Sequence, residues 1–331
     1  NWHIAQGDGD FVTNGNTGQW GLVLANKTVT TENIPVAIFN GAQGGNPIKY
    51  FARPTDYKTS LDSNYSRLYY RINETNFKNA IRAVIWSQGE GNMINVNDKL
   101  TTNEYKTAFT DLKDNMLEDY PSIEQFYILQ SRIGCNADTS ERAFLAMNIL
   151  EAHRQLGYEN GDTTVLPTSA FNQRAEDKCH YLFTGGYEAF GKRVFGFISR
   201  DVYGKSTELE IDPPMITSAT YLKSSNEIEL VTDATSLSIP TYANIQDANF
   251  FINGDNTLIQ NISVTDNKIL IVPNTSFETA PTISYYGPLE GDNNFNFITN
   301  TNDVELIPFK EFQSFLNDAL SLNENDLFNT S

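Results

Sequence analysis

The chain has 331 residues, of which 40% are hydrophobic and 19% charged, and its formal net charge is −18. This composition is typical of globular protein and not of a disordered chain, and the length predicts about two domains. A negative charge of this size repels nucleic acids and anionic membranes, so we exclude both as partners. No apolar run approaches the roughly 18 residues of a membrane-spanning helix, so membrane insertion is not expected.

The first two thirds of the chain alternate short apolar runs with helical patterns. Such alternation is typical of a parallel sheet that is covered by helices on both faces, with functional residues at the carboxyl ends of the strands. In chain order the pattern predicts a strand at 34–40, a helix at 65–80, a strand at 83–87, a helix at 104–116, a strand at 125–130, a helix at 141–156, a strand at 164–167 and a helix at 186–199.

The pattern changes close to the paired prolines at 213–214, where helical periodicity stops. Short β-branched or alternating runs follow at 228–231, 249–252, 268–272 and 282–286, punctuated by Asn, Asp, Gly and Pro, which favours a small β-sandwich. We predict a catalytic-type α/β domain at 1–206, an all-β accessory domain at 207–312 and a tail at 313–331. One or two helical turns are expected in the stretch 311–322.

Few residues can carry histidine or thiol chemistry. Of the three histidines, His153 lies inside an amphipathic helix and His3 near the start, so we expect both to be structural or incidental, which leaves His180. The two cysteines, Cys135 and Cys179, lack CxxC spacing and cannot form a zinc site alone. They form either one disulfide or two unrelated thiols.

Three local features carry the chemical signal. The Gly-rich turn at 41–48 can point backbone N–H groups into a pocket, although most such turns are only turns. The segment 86–92, WSQGEGN, places an amide and a carboxylate at a strand end, where an amide can donate to an oxyanion; the alternative is a polar strand cap. In the segment 177–180, DKCH, an Asp three residues before a His can orient the imidazole; the alternative is a surface histidine beside an unrelated acid.

In this order the three segments resemble the sialate O-acetylesterase-like branch of the SGNH hydrolases, whose pattern is a Gly-Gly turn, then WxQGExN, then DxxH. Weaker similarity extends to Gly18–Gly21, to 36–38 and to the C-terminal β-rich region. The resemblance implies a flavodoxin-like three-layer α/β/α domain with a parallel sheet, followed by the accessory domain. It also implies roles for individual residues: His180 as general base, Asp177 as its orienting acid, the N–H of Gly44 or Gly45 with the Gln88 amide as oxyanion hole, and Glu90 and Asn92 as supporting residues.

The family's nucleophilic serine has no counterpart in this sequence. The string at 6–10, QGDGD, has Gly9 where the serine would stand, and no buried strand precedes it, so we reject it; Ser87 is not nominated either. We expect the nucleophile upstream of Asn1, on a separate or cleaved N-terminal segment, and we favour this over a pseudoenzyme because the other site positions are kept. Another stretch of polypeptide should then cover the flank of the sheet.

The resemblance implies a serine-type carbohydrate O-acetyl esterase that acts on acetylated sugars or polysaccharides without metal or organic cofactor. A non-catalytic carbohydrate-binding surface protein is the alternative from another class, and a lipase-like esterase is a third reading. The segment 321–328 is similar to the linker before the sorting domain of type IX-secreted proteins, which predicts a secreted or cell-surface protein; the alternative is an ordinary polar tail.

Overall fold

A computed structural model describes residue 4 and residues 16–94, 96–130, 132–133, 140–174, 180–207, 209–287 and 297–317. Several expectations concern residues outside this set: the start at Asn1 with His3, the string at 6–10, Cys135, Cys179, Asp177 and the segment 321–328. The chain divides between Asp212 and Pro213 into two compact units, which are described separately. None of the described helices combines the length and the hydropathy that crossing a membrane requires.

The first unit contains a parallel sheet, which confirms the predicted α/β class. Its strands are β1 (Ala83–Trp86), β2 (Gln125–Gln130) and β3 (Thr163–Pro167), in the order β1-β2-β3. Trp86 pairs with Ile128, and Gln130 pairs with Pro167. All three strands end at the same edge because they are parallel.

The helices of this unit are α1 (Gln19–Glu32), α2 (Asn64–Glu74), α3 (Glu90–Ile94), α4 (Thr102–Asp119), α5 (Ser140–Glu159) and α6 (Glu188–Asp201), with 3-10 turns at Ile48–Phe51 and Val96–Asp98. Tyr127 and Leu129 of β2 share one hydrophobic cluster with α1 and α6. Phe126, which precedes Tyr127 in the strand, points to the opposite face and contacts Phe109 of α4. Helices therefore cover both faces of the sheet.

The sequence explains why α4 begins and packs as it does. Thr101 and Glu104 form a capping box, in which each side chain accepts a hydrogen bond from the other residue's backbone N–H. Tyr105, Phe109 and Leu112 recur at helical spacing and are buried against the sheet side. The result is a rigid helix that presents Tyr105 close to the carboxyl end of β1.

The strand predicted at 34–40 is wrong for the described structure. The run is extended, but no described strand pairs with it, and Ile34 is 38% exposed. A strand needs a hydrogen-bonded neighbour, and an apolar run does not say whether one is present. Among the described residues β1 also pairs on one side only, with β2, and its Ala83, Val84 and Ile85 are only half-buried.

The second unit is built mainly of strands: β4 (Ile216–Leu222), β5 (Glu227–Thr232), β6 (Leu237–Ser238), β7 (Phe250–Ile252), β8 (Ile259–Thr265), β9 (Lys268–Pro273), β10 (Thr282–Tyr285), β11 (Thr299–Asn300), β12 (Phe309–Gln313) and β13 (Phe315–Asn317). They form a five-stranded sheet, β13-β4-β5-β9-β8, a three-stranded sheet, β12-β10-β7, and a two-stranded ribbon, β11-β6. One hydrophobic core contains side chains from all three, among them Tyr221, Phe250 and Tyr285.

The helical turns predicted in the tail are also wrong where the structure describes them. β12 pairs antiparallel with β10, and β13 pairs parallel with β4. The phenylalanines at 309, 312 and 315 are spaced as on a helix, but Glu311 adopts a positive φ of 51° at an irregularity in the pairing. This bulge shifts the alternation and turns a helix-like spacing into strands.

A buried carboxylate fixes the 53–65 segment to the end of α4. Asp119 accepts hydrogen bonds from the hydroxyls of Tyr57 and Tyr65, both at 2.7 Å, and from Arg53 Nη1 at 3.2 Å. Burial, and then the hydrogen bond to Asp119, raises the pKa of both tyrosines, so they remain protonated donors. The chain leading from the Gly-rich turn into α2 is thereby held against α4.

We predict that Asp119→Ala lowers the free energy of unfolding by about 3–5 kcal/mol, because it removes the buried carboxylate that accepts from Tyr57 and Tyr65 and leaves Arg53 with Glu118 as its remaining carboxylate partner. Urea denaturation followed by circular dichroism measures this. Asp114→Ala, at an exposed position of the same helix, should change stability by less than about 0.5 kcal/mol. Equal effects of the two substitutions would contradict this account.

Candidate functional site

The Gly-rich turn at 41–48 lies beside the carboxyl end of β1 and presents open backbone donors. Gly44 and Gly45 are exposed, and neither N–H has an acceptor among the described residues. Gly45 has a φ of +73°, a conformation that glycine adopts without strain, and a Cβ there would meet no atom within 4 Å. The turn therefore offers two unpaired N–H groups to whatever occupies the space in front of it.

Asn92 and Gln88 hold this turn in place. Asn92 Oδ1 accepts from the N–H of Ile48 at 2.9 Å and from Gln88 Nε2 at 2.9 Å, while Asn92 Nδ2 donates to the carbonyl of Asp98 at 2.8 Å. Gln88 Nε2 also donates to the carbonyl of Asn46 at 3.1 Å. Both side chains are buried. Both N–H groups of Gln88 are thus donated to protein acceptors in this arrangement.

Gly91 lets the turn lie directly against α3. A Cβ at Gly91 would stand 2.4 Å from the Asn46 carbonyl oxygen and 2.9 Å from the Pro47 nitrogen. These are backbone atoms, so they cannot yield as the end of a flexible side chain would. The second glycine of WSQGEGN therefore sets the distance between the turn and the segment that clamps it.

On the side away from the turn, Gln88 joins a buried series of hydrogen-bonded side chains. Tyr105 OH donates to Gln88 Oε1 at 2.6 Å, and it contacts His153 Nε2 at 3.0 Å and Trp86 Nε1 at 3.2 Å. Tyr105 and His153 are fully buried. Burial lowers the pKa of His153 to about 3, and burial raises the pKa of Tyr105, so both are neutral over the ordinary pH range.

Glu90 is half-buried at the start of α3 and acts electrostatically on two sides of the site. Burial raises the pKa of Tyr181 to about 12, and the negative charge of Glu90 contributes to that rise. The same charge adds to the effect of burial on Tyr105. Because Tyr181 directly follows His180, Glu90 is close enough to influence the loop that carries the predicted base.

His180 lies exposed on the loop between β3 and α6. Its carbonyl accepts a hydrogen bond from the N–H of Arg174 at 2.8 Å, and Gln173 forms an antiparallel bridge with Tyr181. The Tyr181 hydroxyl is 3.1 Å from that of Thr168, just after β3. His180 and Tyr181 are thus held against residues 168–174, while Asp177 lies outside the described residues.

The structure brings Gln88 and Asn92 into direct contact with the turn that contains Gly44 and Gly45. Sequence reasoning missed Tyr105, His153 and the steric role of Gly91. Gly91 stood within a motif already singled out, whereas Tyr105 and His153 meet across 48 residues and carry no local signal. Among the described residues no group of three or more His, Cys, Asp or Glu side chains is arranged to hold a metal.

We predict that Gly91→Ala destabilises the first unit by about 1–3 kcal/mol, since the new methyl group overlaps the backbone of the turn. Thermal denaturation measures the change. The matched control is Gly196→Ala in α6, where a Cβ meets no atom within 4 Å. That substitution should be neutral or stabilising by up to about 1 kcal/mol. A Gly91→Ala protein as stable as the wild type would show that the close approach is not required.

The fold is similar to that of a known structure. A crystal structure of a carbohydrate acetylesterase from Xanthomonas citri aligns with a TM-score of 0.65 and 16% identity, covering 88% of this chain and 64% of that one. The chain therefore spans about two thirds of the length of that relative. An S-layer protein aligns with 10% identity over 93% of this chain and 35% of its own, but its TM-score of 0.22 carries no argument.

None of the curated protein sequences compared with this chain matches it significantly. A family profile does match: the one described as carbohydrate esterase, sialic acid-specific acetylesterase, over residues 8–197. That span is more than half of the chain and contains the Gly-rich turn, WSQGEGN and His180. The chain belongs to this family of carbohydrate esterases.

Proposed function

We propose that this chain is the larger part of a serine-type carbohydrate O-acetyl esterase, a carboxylic ester hydrolase that removes acetyl groups from sugars or polysaccharides. The observation that carries the proposal is the turn with open N–H groups at Gly44 and Gly45, clamped by Asn92 at the carboxyl edge of the sheet in a chain of the carbohydrate esterase family. Preorganised donors of this kind stabilise the oxyanion of ester hydrolysis.

The chemistry follows the usual sequence of acyl transfer. A serine oxygen attacks the acetyl carbonyl carbon, and His180 takes the serine proton. The tetrahedral oxyanion collapses, and the sugar oxygen leaves with the proton that His180 returns. Water, deprotonated by His180, then attacks the acetyl-enzyme, which releases acetate and restores the serine. Asp177 is assigned the role of orienting His180.

The N–H groups of Gly44 and Gly45 are the donors that this proposal assigns first to the oxyanion, because they lack acceptors among the described residues. Gln88 donates to Asn46 of the same turn, so its amide already faces that side. For Gln88 to join the oxyanion hole, the oxyanion must replace the Asn46 carbonyl as acceptor. Loss of one such donor typically costs on the order of 10²–10³ in turnover.

The nucleophilic serine is assigned to a segment outside the described residues, expected upstream of Asn1. The support is the edge of β1, which lacks a partner on one side within the described part of the chain, and the extended apolar run at 34–40. A strand added along β1 would pair its free N–H and C=O groups and cover its half-buried side chains. A turn at the carboxyl end of that strand would place a serine near the Gly44–Gly45 donors.

The test is labelling of the full-length protein with a fluorophosphonate probe, followed by peptide mass spectrometry and an acetate-release assay on acetylated sugars. We expect one labelled serine outside the described residues. We expect His180→Ala to reduce labelling and acetate release on the order of 10²–10⁴-fold, because the general base is lost.

The control is Lys268→Ala, at an exposed position of the second unit, which should leave both readouts unchanged. If a folded full-length protein labels at no serine and releases no acetate, the esterase proposal is overturned. The non-catalytic carbohydrate-binding reading would then take its place.

We also propose that the protein is exported to the cell surface or the medium. The segment 321–328, which is similar to the linker before a type IX sorting domain, supports export by type IX secretion. Fractionation of the producing cells with an antibody against this chain tests it. Recovery in the medium or at the surface is expected, and recovery in the cytoplasmic fraction alone would contradict export.

A further inference from the structure

Three backbone groups fix the direction of every hydrogen bond that Asn92 and Gln88 make to the Gly-rich turn, to Asp98 and to each other. The N–H of Ile48 can only donate, so the atom of Asn92 that faces it must be the oxygen. The carbonyl of Asp98 can only accept, so it faces the nitrogen of Asn92. Asn92 Oδ1 then requires a donor from Gln88, and the carbonyl of Asn46 requires a donor from the same side chain.

The direction continues from Gln88 into the buried series of hydrogen-bonded side chains. With both N–H groups of Gln88 directed at the turn and Asn92, its oxygen faces Tyr105 and must accept. The single hydroxyl hydrogen of Tyr105 is used there. The indole N–H of Trp86 can only donate to the Tyr105 oxygen, and His153 Nε2 must also donate to it. The backbone groups therefore determine the tautomer of His153, which lies at the far end of this series of hydrogen bonds.

We propose that Tyr105 and His153 are positioning residues for the reaction: His153, held as the neutral Nε2–H tautomer, and Tyr105 fix the amide of Gln88 with its N–H groups toward the Gly44–Ile48 turn. This inference deepens the proposed function and rests on it. The reverse orientation of Gln88 would place its oxygen against the carbonyl of Asn46 and against Asn92 Oδ1, so both hydrogen bonds that Gln88 donates there would be lost.

The burial of His153 supports a positioning role and not a catalytic one. Its ring has no exposed surface, and Nδ1 has no hydrogen-bond partner within the part of the chain that the structure describes. A buried acceptor without a partner costs about 1–3 kcal/mol. The charged neighbours on its helix, Glu151 and Arg154, pair with each other, and the carboxylate that acts on Tyr105 is Glu90. A histidine here contributes one fixed donor.

The first test needs no substitution. With ¹⁵N-labelled histidine, long-range ¹H–¹⁵N spectra of the full-length protein should show His153 as the neutral Nε2–H tautomer. That signal should stay constant between about pH 5 and about pH 8, since burial lowers the pKa of His153 to about 3. Only three histidines need assignment in this chain. An Nδ1–H tautomer, or a titration midpoint near the ordinary histidine value, would overturn the inference.

The second test is kinetic. Tyr105→Phe should lower kcat about 10- to 100-fold with little change in KM, because the Gln88 amide loses its orientation while substrate contacts remain. Active sites are counted by fluorophosphonate labelling, so a merely smaller folded fraction would not change kcat per labelled serine. His153→Gln, which keeps a donor, should recover activity relative to His153→Leu.

The matched control is Tyr120→Phe, at the end of the same helix, where the buried hydroxyl has no hydrogen-bond partner among the described residues. It should leave kcat unchanged. If Tyr105→Phe also leaves kcat per site unchanged while acetate is released, the positioning role is wrong and the esterase proposal stands. If the spectra show the Nε2–H tautomer but the full-length protein releases no acetate, the esterase proposal fails.

Discussion

Asn92 joins three separate parts of the first unit through one buried amide. Its oxygen receives the N–H of Ile48 from the Gly-rich turn and an N–H of Gln88 from the end of β1, and its nitrogen binds the carbonyl of Asp98. A buried polar group without its partner costs about as much as several surface contacts contribute. The position of the turn relative to the sheet therefore depends on this side chain.

The site contains two kinds of hydrogen-bond donor: side-chain amides that are bound within the protein, and backbone N–H groups that face open space. Gln88 Nε2 donates to two protein acceptors and Asn92 Nδ2 donates to the carbonyl of Asp98, whereas the N–H groups of Gly44 and Gly45 are not bound by any described residue. A site that keeps its open donors on a rigid turn does not have to reorganise as charge develops during the reaction. Three features hold the turn in place: the close approach of Gly91 to its backbone, the contacts of Asp119 with the segment that follows it, and the hydrogen bonds from Gln88 to Tyr105 and on to His153.

Much of the fold could be predicted because the patterns were local. The run QFYILQ is continuous and apolar, and β2 occupies the predicted residues. The run at 34–40 looked the same, but pairing depends on a neighbour that a local pattern does not contain. The helical turns predicted for the tail were wrong for a related reason. Glu311 has a positive φ, and the bulge that results places residues with helix-like spacing on strands. Outside the tail, α1, α3, β4, β6, β8 and β11 were also not predicted.

In the candidate site, too, residues of a contiguous motif could be predicted and residues joined by long-range contacts could not. Gln88 and Asn92 were found because their motif is contiguous, and the structure places them against the turn. The steric need for glycine at 91 arises only when Asn46 is brought against it, and the partners of His153 come from α4 and the end of β1. Long-range contacts of this kind are decided by packing, so a single sequence does not reveal them.

The most direct measurement is a crystal structure of the full-length protein with a phosphonate bound covalently to its serine. The account predicts a phosphonate oxygen at about 2.7–3.1 Å from the N–H of Gly44 or Gly45, the distance expected for an oxyanion donor, with His180 beside the serine oxygen. It would be contradicted by a phosphonate whose oxygens contact neither glycine, or by a serine whose hydrogen-bond partner is a residue other than His180.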